Sequence, residues 1–194
     1  MSFTLLNVKF EINYIFLCII VSYLFVDKTG LCLPLFMSVI LHETAHLLFL
    51  VLFRCKIMSV KLNIGAVLVI HSDDISKGKK IISLLAGPIS NLLLSSAAYI
   101  LKNETYCAVN IILAVYNLLP VSGVDGGAVL ETALQGHCTS KTVDRIAFLS
   151  TVLICSIFVA VYFMFQKYFN NYSILLLCLY ILTPILLKKI LKES

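Results

Sequence analysis

No two of the seven cysteines (Cys18, Cys32, Cys55, Cys107, Cys138, Cys155 and Cys178) stand at the C-x-x-C spacing of a thiolate metal site. The count is odd and most lie in apolar runs, so they read as small buried hydrophobes and not as a disulfide framework. Charge is scarce: 13% of residues are charged and the net charge is only +5, spread over loops. That excludes a nucleic-acid surface as the main purpose of the chain. The N-terminus has no short apolar core followed by a small-residue cleavage site, so a removed signal peptide is not expected. Internal repeats and low-complexity tails are absent as well.

What is there is hydrocarbon. Hydrophobic residues make up 60% of the chain and its mean hydropathy is +1.01, well beyond the roughly 45–50% apolar content of soluble domains. Apolar segments recur at about 12–26, 32–53, 81–101, 105–119, 146–166 and 172–187, most of them near the ~20 residues that cross a ~30 Å hydrocarbon layer. The expectation is an all-α, multi-pass integral membrane protein of about six spans, forming one domain over 1–194. With the N-terminus inside, the outer loops hold only Lys28, Lys102 and Lys167 of the 15 basic residues. Both termini are therefore expected on the cytoplasmic side.

One loop has a different period. Met58-Ser59-Val60-Lys61-Leu62-Asn63-Ile64-Gly65 alternates apolar and polar, and Ala66 to Ile70 continues as an apolar run. Period two marks a half-buried strand, so a short β-hairpin at the membrane surface is expected, with Gly65 as a bend. Pro120, Gly123, Gly126 and Gly127 break the chain after the fourth span, and 128–134 has the make-up of a short helix.

The span at 32–53 carries His42-Glu43-Thr44-Ala45-His46 near its middle. Positions i and i+4 share one helical face, so two imidazoles at this spacing grip one Zn²⁺ while the glutamate between them reaches water at the metal. An ionisable group is costly at that depth and is a functional-site hypothesis by default. A catalytic zinc needs a third protein ligand. Asp125, in Val124-Asp125-Gly126-Gly127 after the fourth span, is the leading candidate; Glu104 and Glu131 are rivals, and His71 and His137 read as solvated loop groups. Two membrane asparagines also stand out, Asn91 in Gly87-Pro88-Ile89-Ser90-Asn91 and Asn117 in Asn117-Leu118-Leu119-Pro120. Either serves as interhelical glue or as a holder of substrate.

Together these motifs, in this order and spacing, resemble the site-2 protease family of intramembrane zinc metalloproteases. The resemblance covers about residues 32–130, the family's three-helix catalytic core. The family commonly has leucine where this chain has Val124. No PDZ or CBS domain is recognised in 1–194, and the layout looks most like the sporulation branch typified by stage IV sporulation protein FB, whose pattern includes a C-terminal domain not found here.

The resemblance implies one Zn²⁺ per chain held by His42, His46 and Asp125. It implies Glu43 as general base, and Asn91 and Asn117 as holders of the substrate backbone or oxyanion. It further implies a membrane-associated protein substrate, membrane-protein regulators, no nucleic acid, and a bacterial cell membrane. Two other classes remain as alternatives: a metal transporter using the same ligands, and a catalytically inactive relative that retains membrane proteins.

Overall fold

The computed structural model describes residues 2–5, 8–12, 27–28, 30–55, 57–63, 66–71 and 75–164. The first and last expected spans, 12–26 and 172–187, lie outside the described residues, apart from Ile12, which ends a strand. In chain order the elements are β1 (Ser2–Leu5), β2 (Val8–Ile12), α1 (Cys32–Leu52), β3 (Ile57–Asn63), β4 (Ala66–His71), α2 (Lys77–Ile100), α3 (Glu104–Leu118), α4 (Asp125–Leu134) and α5 (Ser140–Met164). The chain divides into two compact units, Met1–Val115 and Tyr116–Ser194.

Three helices, Cys32–Leu52, Lys77–Ile100 and Ser140–Ala160, are long and apolar enough to cross a membrane. Their outward residues include large exposed apolar side chains such as Leu48, Leu93 and Leu153. A hydrocarbon layer covers such a surface at no cost, whereas water does not. The fourth expected span within the described residues is α3. Its 15 residues reach about 22 Å at ~1.5 Å each, short of a ~30 Å layer.

In the first unit, α1 starts where the Asp27 carboxylate accepts from the backbone N–H of Gly30 (3.1 Å), just before the helix, and of Cys32 (2.7 Å), a donor the helix itself leaves unpaired. Pro34 falls in the first turn, where a missing N–H costs nothing. The helix stops in a Schellman turn: Cys55 N–H bonds Leu50 O at 3.0 Å, Arg54 N–H bonds Val51 O at 2.8 Å, and Arg54 takes φ +59°. α2 ends the same way at Lys102, φ +56°, with Asn103 N–H on Ala98 O at 2.9 Å. Both turns place a cation at a helix C-terminus, where the macrodipole favours it.

The strands form one sheet in the order β1-β2-β3-β4. β1 and β2 pair antiparallel, β2 and β3 parallel with Lys9 opposite Ser59, and β3 and β4 antiparallel with Val60 opposite Val69. The apolar–polar alternation at 58–63 belongs to β3; β1 and β2 are elements that the hydropathy pattern did not suggest. Gly65, expected as the bend, lies outside the described residues.

α1 packs chiefly on α2. The buried stripe of α1 runs through Ser38, His42 and Leu50, with half-buried His46 between them, each four residues from the next. The facing stripe of α2 is Ser83, Gly87, Asn91 and Ser95, again four apart. Small residues at that period let two backbones approach closely, the usual way helices associate where lipid offers no hydrophobic drive. Pro88 removes one N–H from the ladder of α2, yet the helix continues from Lys77 to Ile100.

The second unit has a small apolar core of Val121 and Cys155, with Tyr116, Leu119, Val124 and Phe158 packed around it. The five described cysteines, Cys32, Cys55, Cys107, Cys138 and Cys155, are free thiols.

Candidate metal centre

The two histidines meet edge to face. Their ring centroids are 4.7 Å apart at an interplanar angle of 83°, and His46 Nε2 lies 3.1 Å from His42 Nε2. Two nitrogens bound to one tetrahedral Zn²⁺ at ~2.0–2.1 Å each stand roughly 3.3 Å apart, so the observed spacing fits a shared cation.

α2 builds the other side of this site. The carbonyl oxygen of Ser83 is 2.7 Å from His46 Nδ1. The amide nitrogen of Asn91 is 3.1 Å from His42 Nδ1. Between these two positions sits Gly87. A methyl group there would overlap His46 Nε2 and lie 2.7 Å from His42 Cε1. The glycine is a recess in α2 shaped by the absence of a side chain, and the imidazoles fill it.

Glu43 follows His42 by one residue and is half-buried, rotated off the His42–His46 stripe. One turn before His42, Ser38 accepts a 2.9 Å hydrogen bond from Asn110 Nδ2 of α3, and Asn110 also donates to Tyr106 O at 2.8 Å. Ser38, Asn91 and Asn110 all have 0% exposure. Both buried asparagines leave their Oδ1 without a hydrogen-bond partner.

In the second unit, Asp125 is the first residue of α4, where the helix dipole stabilises a carboxylate. The two glycines after it permit the turn. A Cβ on Gly126 would lie 2.5 Å from the carbonyl oxygens of Leu118 and Leu119, and one on Gly127 would overlap Val121 O. The first turn of α4 therefore rests directly on the backbone of 118–121. α5 also holds that backbone: Ser150 Oγ donates to Pro120 O at 2.7 Å, and the buried hydroxyl of Thr151 accepts from Ser122 N–H at 3.2 Å.

Among the rival ligands, Glu104 is exposed at the start of α3, where it lines a cavity of about 580 Å³ with Tyr99, Lys102 and Cys107. The other rival, Glu131, is half-buried on α4; His137, expected as a solvated loop group, is exposed in the turn after α4. Asn117 is half-buried near the end of α3. Sequence reasoning passed over Ser38, Asn110, Ser150, Thr151 and the Ser83 carbonyl. Asn110 carried the same signal as Asn91, an amide inside an apolar run. The Ser83 contact is made by backbone and has no side-chain signature.

No family model matches the sequence, and no curated protein matches it. A solved structure does: the site-2 protease from Methanocaldococcus jannaschii, with a TM-score of 0.65 and 21% sequence identity, covering 93% of this chain and 92% of that one. At that identity the likeness establishes a shared fold.

Proposed function

We propose that this chain is an intramembrane zinc endopeptidase of the site-2 type, cutting a membrane-associated protein substrate. The observation that carries the reading is the pair of imidazole Nε2 atoms 3.1 Å apart within a membrane-length helix. The shared fold supports it.

In this proposal His42, His46 and Asp125 would hold the zinc, a two-imidazole, one-carboxylate donor set of the kind a catalytic zinc takes. One zinc bound there supplies Lewis acidity, which lowers the pKa of water towards ~7 and polarises a carbonyl. Glu43 takes the proton from the attacking water and delivers it to the leaving amine as the peptide bond breaks. Asn117 holds the substrate backbone or the developing oxyanion; Asn91, the other asparagine expected in that part, is fully buried with its amide against His42 Nδ1. A transporter would have no use for a general base beside its ligands, and an inactive relative would have no need to keep one.

A transmembrane substrate hides its peptide bonds in a helix and must be unwound before attack. β3 lies between β2 and β4, so both its edges are occupied. The outer edge of β4 ends the sheet, and in this proposal an extended substrate segment adds there as a further strand. Proline scanned through 66–70 tests it. Cleavage should fall even at positions whose N–H faces away from β3; unchanged cleavage at those positions would count against it.

Six spans, cytoplasmic termini, a bacterial membrane and a sporulation substrate complete the proposal as finer expectations. The deciding experiment compares wild type with Glu43→Gln in detergent, reading zinc content and cleavage of a membrane-spanning reporter. Both should hold about one zinc per chain, and only wild type should cleave. Zinc without cleavage in either protein would favour the inactive relative. Equal cleavage by both would remove Glu43 from the chemistry.

A further inference from the structure

We infer that Asn91 is a positioning residue for His42: it turns its carbonyl oxygen to His42 Nδ1–H and thereby fixes the tautomer in which Nε2 is the ligand. This rests on the metal reading above.

A backbone carbonyl only accepts, so the 2.7 Å contact between His46 Nδ1 and Ser83 O places a proton on Nδ1. In the neutral ring Nε2 is then a lone pair, and it faces His42 Nε2 at 3.1 Å. Two arrangements satisfy that short distance. In one, His42 carries its proton on Nε2 and donates it to His46. Its Nδ1 then accepts from the Asn91 amide, and Asn91 Oδ1 is left as a buried orphan. In the other, both Nε2 atoms present lone pairs to one cation. The His42 proton then moves to Nδ1 and requires an acceptor at the place where Asn91 sits.

The oxygen and nitrogen of an amide occupy nearly the same positions when the group is turned by half a revolution. Asn91 Oδ1 has no partner, the residue has 0% exposure, and the group 3.1 Å from His42 Nδ1 is the same amide's nitrogen. Turning the amide gives Oδ1 a donor and His42 Nδ1–H an acceptor in one motion, with the NH2 group taking the former place of the oxygen. The protein thus provides a matched pair of carbonyl acceptors from one face of α2, the backbone of Ser83 for His46 and the side chain of Asn91 for His42. Hydrogen-bonded partners of this kind orient ligating imidazoles and raise their basicity. An asparagine buried this fully, with its amide on a ligand ring, serves the ligand and not the substrate.

The test is zinc affinity of the full-length protein in detergent, read by competition with a chromophoric chelator, for wild type, Asn91→Asp and Asn91→Leu. A carboxylate accepts from Nδ1–H as a carbonyl does, so Asn91→Asp should bind within a few-fold of wild type. Asn91→Leu should weaken binding by about 10–100-fold, the usual effect of losing such a partner. Thermal unfolding of the metal-free proteins runs alongside; should Asn91→Leu fail to fold, the Asn91→Asp value decides alone. Wild-type affinity in Asn91→Leu, or a loss of about 10-fold or more in folded Asn91→Asp, would overturn the inference while leaving the metal reading intact. Absence of zinc binding in wild type would overturn both.

Discussion

His46 Nδ1 lies 2.7 Å from the carbonyl oxygen of Ser83. That contact ties the second histidine of the motif to the neighbouring helix through backbone, four residues before the glycine that makes room for both rings. The site is thus a property of the α1–α2 seam, not of α1 alone.

Gly87→Ala tests the recess. On an exposed helix this change would add about 1 kcal/mol of stability. Here the methyl group falls on His46 Nε2, so it should displace the imidazoles and lower zinc affinity at least ~10-fold, with an overpacking cost of about 1–3 kcal/mol. Chelator competition and thermal unfolding read the two effects separately. Wild-type zinc affinity in a folded Gly87→Ala protein would show that the rings are placed otherwise.

The choice of third ligand is open to direct comparison. Asp125→Asn should weaken zinc binding strongly, because a neutral amide is a far poorer ligand than a carboxylate. Glu104→Gln and His137→Ala, both at exposed positions, should leave zinc content unchanged. A loss in either of these with retention in Asp125→Asn would transfer the role.

Thr151→Val removes the hydroxyl that accepts from Ser122 N–H while keeping the side chain's shape. An orphaned N–H costs roughly 1–3 kcal/mol when buried; Ser122 is half-buried, so the loss of stability should fall at about 1 kcal/mol or below. The larger effect should fall on cleavage, because the segment that loosens leads into Asp125 within three residues. The expected outcome is a fall in reporter cleavage beyond what the loss of folded protein explains, with Thr151→Ser close to wild type.

Ser38 and Asn110 form a buried pair between α1 and α3. Hydrogen bonds between membrane helices average about 0.6 kcal/mol and reach about 1.7. A double-mutant cycle with Ser38→Ala and Asn110→Leu, followed by unfolding in mixed micelles, should give a coupling in that range. Zero coupling would mean that each residue acts alone.

Membrane character, the positions of α1, α2, α3 and α5, and the His42-Glu43-His46 motif were legible because each is local. Hydropathy over ~20 residues marks a span, and an i, i+4 pair shares a face whatever surrounds the helix. The break at Pro120 and the short helix at 128–134 were equally legible, since proline and glycine act on their own backbone; α4 in fact starts three residues earlier, at Asp125. β1 and β2 were not, because strands this short are specified by partners distant in sequence, such as Ser59 for Lys9.

What the sequence determined by itself was an apolar chain with two imidazoles and a carboxylate on one helix, and a carboxylate before paired glycines further on. Only the tertiary structure decided what those groups face. Gly87 became a recess because α1 lies against it, Asn91 became a partner of His42 because the two four-residue stripes align, and the Ser83 carbonyl entered the site with no signature of its own. Covalent order dictates which residues can share a helix face; which atoms meet across two helices depends on the register in which those helices pack.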